Sequence, residues 1–424
     1  LRTNASEATK VPKQRCEANS RPFSGGAKFT YSYLTNGGGL INSIAGPAHT
    51  VQNAWENERD VLLNKNNHKN GDDTSIFSKY AYGVNEIGQR TSIFRSGTSF
   101  DHSGSSSHSS LTSTSQSLGW VYNARGELTE EIHPSSTFSN AYQFDGIGNR
   151  EKAVNGSVTL PGTNNFVANN LNKYTATPVP SATLSHDDDG NLLSGPVPGA
   201  SSASASAGYS LTVGTAATNI KWDAENRMRS LSVNGTTITY DYDFLGRRTL
   251  TQGGTGGTKN YFYDGWNLIL RTDGTYQNTS YASTWGLDLS GSLQGAGGVG
   301  GLLVIENYTS SSPDRLYPLY DGNGNVTQYL DGSLNYQARY EYDSFGRTTR
   351  YGPDTLVHNL IHRFSTKFHD DNTGLLYYGY RDCAPSEAWH FLRGESPRRA
   401  WPEGESLIGP RPSQSLVSSL AGVK

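Results

Sequence analysis

The most regular pattern along this chain is a pair of aromatic residues one position apart, followed at once by Asp or Asn, two further residues and Gly or Asn. An Arg or Asn and an apolar residue often come next. The clearest copy is Tyr240-Asp241-Tyr242-Asp243-Phe244-Leu245-Gly246-Arg247-Arg248. Two more are Tyr340-Glu341-Tyr342-Asp343-Ser344-Phe345-Gly346-Arg347 and Tyr142-Gln143-Phe144-Asp145-Gly146-Ile147-Gly148-Asn149-Arg150. Degenerate copies keep the frame at Trp120 to Gly126, His186 to Gly190, Trp222 to Asn226, Tyr261 to Asn267 and Tyr320 to Gly324. Tyr82 to Arg90 is weaker, because Val84 replaces the second aromatic.

Each unit predicts a β-hairpin. Aromatics at i and i+2 share one face of a strand. The Asp or Asn accepts from backbone amides ahead of it and starts a turn. Gly three residues later takes the positive φ of a turn that runs into a bulge. Aligned on the turn residue at 88, 126, 148, 190, 226, 246, 267, 324 and 346, the copies are separated by 38, 22, 42, 36, 20, 21, 57 and 22 residues. Most gaps are one or two multiples of about 20, a typical repeat period, and the doubled gaps imply eroded copies. A lone hairpin is marginal in water, so the copies must stack.

Composition agrees. Gly supplies 48 and Tyr 25 of 424 residues, against one Met. Hydrophobic residues are 34% and charged residues 17%, both low for a compact enzyme. A helical bundle is excluded by the wealth of Gly and aromatics, collagen by the lack of a three-residue Gly period, and full disorder by the tyrosines and tryptophans. A net charge of −3 without a basic stripe gives no nucleic-acid footprint. The two cysteines, Cys16 and Cys383, read as unrelated thiols. No apolar run is long enough to span a membrane. The chain starts at Leu1 with no signal-peptide shape.

The unit resembles the YD repeat of RHS-repeat proteins. The stretch from Leu316 to Ser386, with LYPLYDGNGNVTQYLDG, ARYEYDSFGRTTRYG and HRFSTKFHDDNTGLLYYGYRDCAPS, resembles that family's C-terminal core. The resemblance implies a β-structured wall spiralling around a hollow interior, in bacterial surface or secreted proteins that often enclose a toxin. Relatives with a toxin carry paired Asp-Pro motifs; none occurs here, so self-cleavage is not expected. From Glu387 the family pattern stops, and residues 387–424 hold four prolines and no repeat. A frame-shifted or recombined, disordered tail is expected there. The small number of copies predicts an open curved sheet with exposed edges.

Other constellations weigh less. Ser96 to Leu118 contains 11 serines in 23 residues and reads as a flexible linker, with His102 and His108 solvated. Pro178 to Tyr209 reads as a second flexible stretch. His358 and His362 stand four apart without the Glu of a zinc motif. Asp370-Asp371-Asn372-Thr373-Gly374 reads as a hairpin turn, since the distal Glu of a calcium loop is absent. Gly253 to Gly257 and Gly295 to Gly301 lack the Gly-Lys-Ser/Thr of a phosphate cradle. The repeat tyrosines read as core and the repeat Asp residues as turn formers; a sugar-binding ladder is the alternative for the tyrosines.

The expectation is therefore an all-β protein of stacked β-hairpin YD repeats forming a curved or spiral sheet, a partial RHS-type shell. Four regions are expected: 1–79 with weak repeat, 80–214 with degenerate repeats and Ser-rich and Pro/Ser/Ala-rich linkers, 215–386 with repeats plus the RHS-associated core, and 387–424 as a divergent tail. The expected function is a non-enzymatic structural or interaction protein, extracellular or at the cell surface. The alternatives are a carbohydrate-binding surface module and the shell remnant of a toxin delivery protein. No catalytic, cofactor-binding or metal residue is assigned. Expected partners are cell-wall or surface carbohydrate or another surface protein, with no nucleic acid and no transmembrane segment.

Overall fold

The computed structural model describes residues 28–35, 39–100, 115–134, 136–178, 181–198, 215–254, 257–274, 278–308, 313–351, 356, 360–384 and 390–391. Among these the secondary structure is β throughout, apart from one-turn 3-10 segments at Thr98–Phe100, Ser136–Phe138 and Phe364–Thr366. The all-β, curved-sheet expectation holds. Ten strands, from Thr30–Tyr33 to Arg150–Asn155, form one antiparallel sheet in strict chain order. Fourteen, from Ser185–His186 to Thr348–Tyr351, form a second. We call these the first and second strips. A three-stranded sheet from Val167–Ala168 to Ser181–Thr183 lies between them in sequence, and a four-stranded sheet from Phe368–His369 to His390–Phe391 follows the second strip. Strands at the strip ends, such as Thr30–Tyr33 and Arg150–Asn155, pair on one side only, so neither strip closes into a barrel.

The turn chemistry follows the repeat. At Asp243, Oδ1 accepts from the amides of Leu245 and Arg247 at 3.0 and 2.9 Å, while the Gly246 amide donates to the Asp243 carbonyl at 3.0 Å. The same set recurs at Asp145, Asp223, Asp321, Asp331 and Asp343. The pairing slips by one residue beside each turn, as between Asp241 and Tyr242, and Gly246 supplies the left-handed step at φ 81°. Gly takes that conformation most cheaply, and Asn226 takes it at the Asp223 turn, at φ 56°. Against the upward push of partial burial, the amide and Asn149 hydrogen bonds hold the Asp145 carboxyl below its ordinary range.

Two turns were hidden in the sequence. One doubled gap contains the Asn169-Asn170-Leu171-Asn172 turn, where Asn172 stands in for Gly at φ 57°. Asp331 to Asn335 forms the same turn on the opposite edge of the second strip. The copy at Tyr261 differs: Asp264 pairs directly with Asn267, so Gly265 and Trp266 make a two-residue turn. The Ser-rich stretch is structured at both ends, because Ser96 ends one strand and Ser115–Tyr122 forms the next; residues 101–114 lie outside the described residues, as do His102 and His108. His186 and Leu192–Val197 from the Pro-rich stretch continue the array. The hairpin predicted around Asp370 to Gly374 is present, with Phe368–His369 paired to Leu376–Tyr377.

The repeat tyrosines form the core. Tyr82, Tyr142, Tyr240, Tyr261, Tyr320 and Tyr340, the first aromatics of their copies, are all at most 8% exposed. A sugar-binding ladder built on these residues is thereby removed. No helix of the described residues is long and apolar enough to cross a membrane.

Candidate functional site: the seam between the strips

The copies at Tyr82, Tyr142 and Tyr240 place an Arg eight residues after the first Tyr, and the hairpin turn brings the two together. The guanidinium of Arg90 lies 3.9 Å from the ring centre of Tyr82, that of Arg150 4.8 Å from Tyr142, and that of Arg248 4.0 Å from Tyr240. Such stacking favours a cation over the electron-rich ring face. The Tyr340 copy has Thr348 at that position, and Arg363 covers Tyr340 instead, at 5.3 Å. The residue after each turn Gly, or its neighbour, reaches the next turn along the edge. Gln89 donates to the Gly126 carbonyl at 3.4 Å, Arg125 to that of Asp145 at 2.7 Å, and Arg227 to that of Asp243 at 3.3 Å. Asn191 donates to the Asn226 side chain at 2.9 Å. The turns thus form a stitched rim.

The second strip returns onto the first along a seam. The Asn67 amide donates to the Tyr320 carbonyl at 3.1 Å, the Tyr80 hydroxyl to Thr327 at 2.9 Å, and the Gly322 amide to the Tyr82 hydroxyl at 2.6 Å. Further along, the Trp120 indole donates to Ser344 at 2.9 Å and the Ser344 amide to Glu131 at 3.2 Å. The turn residue Phe345 packs edge-on against Tyr142, ring centres 4.9 Å apart, under the Arg150 guanidinium at 4.1 Å. Two consecutive second-strip turns therefore dock into the face of the first strip.

Between these docking points lies a cleft lined by Trp120, Tyr342, Glu131, Glu341, Asp343 and Arg95. Arg95 pairs with Glu341 at 3.1 Å, and Arg347 with Asp343 at 3.0 Å. Glu131 also accepts from Asn140 at 2.9 Å. Burial, then the nearby Asp343 carboxylate, push the Glu131 carboxyl up to about 7. It is thus a buried group able to exchange a proton near neutral pH, the kind of perturbation found at functional sites and in buried ionic networks alike. Because its folded value lies above its ordinary one, native protein holds more protons than unfolded chain between pH ~4.5 and ~7. Its contribution to stability therefore falls as pH rises through that window. Glu131→Gln is expected to raise the melting temperature at pH 8 and leave it nearly unchanged at pH 4.5. Melting curves of both proteins at matched pH check this, and the difference removes the opposite effect of His49 and His362, which burial lowers to about 4.

A second buried centre ties the four-stranded sheet to the second strip. Arg248, 1% exposed, pairs with Asp382 at 2.8 Å and Asp370 at 3.2 Å. The Tyr240 hydroxyl donates to Asp370 at 3.2 Å, and the Tyr377 hydroxyl accepts from the Arg248 amide at 2.8 Å. Asp370, singled out in the sequence as a turn residue, is therefore also half of a buried ion network.

The remaining sequence candidates are accounted for individually. His362 is buried, with a ring nitrogen 3.1 Å from the Thr366 carbonyl and its ring edge-on to Trp285; His358 lies outside the described residues. In the Gly295 to Gly301 loop, the amides of Ala296 and Gly298 donate to the Asp288 carboxylate at 2.6 and 3.1 Å, and that of Gly300 to Thr366 at 2.8 Å. Those donors are engaged within the chain. Cys383 is buried, and Cys16 lies outside the described residues. Among the described residues no group of three or more His, Cys, Asp or Glu could hold a metal. Sequence reasoning missed Arg95, Glu131 and Glu341, because single charges on strand faces carry no local motif; only Arg95, two residues after the apolar Ile93, stands at a position the alternation assigns to a buried face.

No family model matches the chain. It is 27% identical over 270 residues to the tRNA3(Ser)-specific nuclease WapA of Bacillus spizizenii and 25% over 269 residues to the tRNA nuclease WapA of Bacillus subtilis. In both cases 62% of this chain and 10% of the relative are covered, so the chain spans about a tenth of the length of these curated relatives. Among solved structures, the Photorhabdus luminescens Tc holotoxin pore is similar with a TM-score of 0.63 at 17% identity, over 93% of this chain and 18% of that one. The TcdB2-TccC3-TEV structure is similar with a TM-score of 0.61 at 17% identity, over 86% and 18%. These likenesses show a shared β fold and are consistent with the RHS/YD resemblance. They overturn the expectation of a non-enzymatic scaffold: the curated relatives are enzymes by name, and a wall-like fold does not separate a scaffold from a wall that belongs to an enzyme.

Proposed function

We propose that this chain is a wall section of a bacterial toxin of the RHS/YD-repeat type, whose whole protein acts enzymatically as a nuclease on tRNA. The carrying observation is the seam: a repeat strip that returns onto its own face, with turns seated between tyrosines, is the construction a hollow shell requires. The names of the curated relatives support the enzymatic half. Nucleic acid, which the balanced charge of the chain argued against as a partner of the wall, enters here as the substrate of the whole protein. Delivery outside the producing cell belongs to the same proposal, as does the division into four regions.

The test is expression of the complete reading frame, followed by incubation with total tRNA before and after the wall is opened by denaturant pulse and dilution. Discrete tRNA fragments are expected, in greater amount after opening. Absence of tRNA cleavage in both states would refute the nuclease assignment. Limited proteolysis tests the wall separately: resistance from about Thr215 to Arg381 is expected, and early cleavage inside Tyr240 to Arg350 would refute the stacked-hairpin wall.

A further inference from the structure

The cleft at the seam holds more carboxyls than its guanidiniums pair. Glu131, on the first-strip strand Leu128–Ile132, is 3% exposed. Trp120 and Asn140 stand opposite it in the sheet ladder, so the first strip fixes its place. Glu341 and Asp343 enter the same cleft from the second strip. Arg95 is taken by Glu341 at 3.1 Å, and Arg347 by Asp343 at 3.0 Å. Among the described residues no cation stands within ion-pair distance of Glu131.

The other ionisable groups around Glu131 leave it in that position. Tyr122 and Tyr142 flank it on neighbouring strands, and burial pushes both hydroxyls up, so they stay neutral. Asp321, at the other docking turn, lines the same cleft and has Arg90 beside it. His133 follows on the same strand side, in the adjoining hollow lined also by Arg95, Glu341 and Asp343, with its ring 5.0 Å from that of Phe138. A proton on His133 would favour the acidic seam at low pH, in the same direction as a proton on Glu131.

Ionising Glu131 adds a carboxylate without a cation to a cleft shielded from water, and a buried unpaired charge is strongly unfavourable. The strain is relieved if the first strip unfolds or if the strips part at the Asp343 turn. Parting is the easier route. The first strip is joined by continuous ladders on both sides of Glu131. The docking point rests on the Ser344 amide at Glu131, the Trp120 indole at Ser344, the Arg95–Glu341 pair and the Phe345 ring. Parting returns Glu131 to water and takes it away from Asp343, while its bond from Asn140 lies within the first strip and is kept.

We propose that this part of the seam is a pH-operated latch, closed while Glu131 carries its proton and loosened when Glu131 ionises, with both strips staying folded. The docked carboxyl gives up its proton at about 7 and an undocked one at its ordinary value of 4.5. Opening therefore grows as pH rises between these values and levels off above them. The latch rests on the seam alone and stands or falls apart from the nuclease assignment.

Hydrogen exchange of the full chain from pH 5 to pH 8, resolved at single N–H groups by NMR and corrected for the intrinsic pH dependence of exchange, tests it. The Ser344 amide and the Trp120 indole are bonded across the seam, whereas the Phe345 and Arg347 amides are bonded within their own turn. Protection of the first two is expected to fall at least about tenfold over this range. Protection of the turn amides and of Leu128–Ile132 should hold. In Glu131→Gln the fall should vanish, because Gln keeps the acceptor and lacks the charge. Protection at the seam that is flat with pH in the parent, an equal fall in Glu131→Gln, which would assign the effect to His133, or equal loss along Leu128–Ile132 overturns the proposal.

Discussion

Replacing Arg248 with Ala is expected to destabilise the protein by about 3–5 kcal/mol, because it leaves two buried carboxylates without their cation. Asp370 and Asp382 are 2% and 6% exposed, and both face the Arg248 guanidinium. The lost stack on Tyr240 adds to the cost. Denaturant unfolding measures the loss, and hydrogen exchange locates it: amides of Phe368–His369, Leu376–Tyr377 and Asp382–Ala384 should lose protection first. A triple variant, Arg248→Met with Asp370→Asn and Asp382→Asn, should recover much of the stability, since removing all charges removes the desolvation problem. Failure of that rescue would show that the guanidinium matters for its shape and stacking more than for its charge.

Truncating Phe345 to Ala is the second large effect, about 3–4 kcal/mol. Phe345 is 9% exposed and packs with Leu128, Tyr142, Ala153 and Phe166, all on elements that precede the second strip. Its loss opens a cavity at the seam, and neighbouring turns restrict collapse because Ser344 and Arg347 are bonded to Glu131 and Asn140. The expected signature is local. Amides of the Asp343 turn and of Leu128–Ile132 should exchange faster, while those around Met228–Val233 stay protected. Uniform loss of protection would indicate that the strips unfold as one unit.

Much of the local fold was legible in the chain. Aromatics in alternate positions, the turn-forming Asp and the left-handed Gly lie within nine residues of one another, so local sterics and hydrogen bonding decide them. The pairing of Tyr142 with Arg150 follows from the same register. The turn at Asn169 escaped notice because Asn replaces both Asp and Gly, and the one at Asp331 because no aromatic pair precedes it. The seam was not legible. Which turn meets which strand depends on the accumulated twist and curvature of many strands, and no short motif records it. Arg363 over Tyr340 illustrates the point: the missing Arg at Thr348 is visible in the sequence, but its replacement comes from outside the repeat. The acidic cleft was hidden for the same reason, since Glu131 and Asp343 become neighbours only when the strips meet.

The enzymatic reading and the seam are linked through the wall. A strip that merely curves leaves its inner face open; here turns of the second strip seat on the face of the first. The central claim is therefore the contact between the two strips, and the double-mutant cycle of Tyr142→Ala and Phe345→Ala measures it most directly. The docked seam predicts an interaction energy of about 1 kcal/mol or more, the range for residues in aromatic contact. Strict additivity of the two substitutions would contradict it.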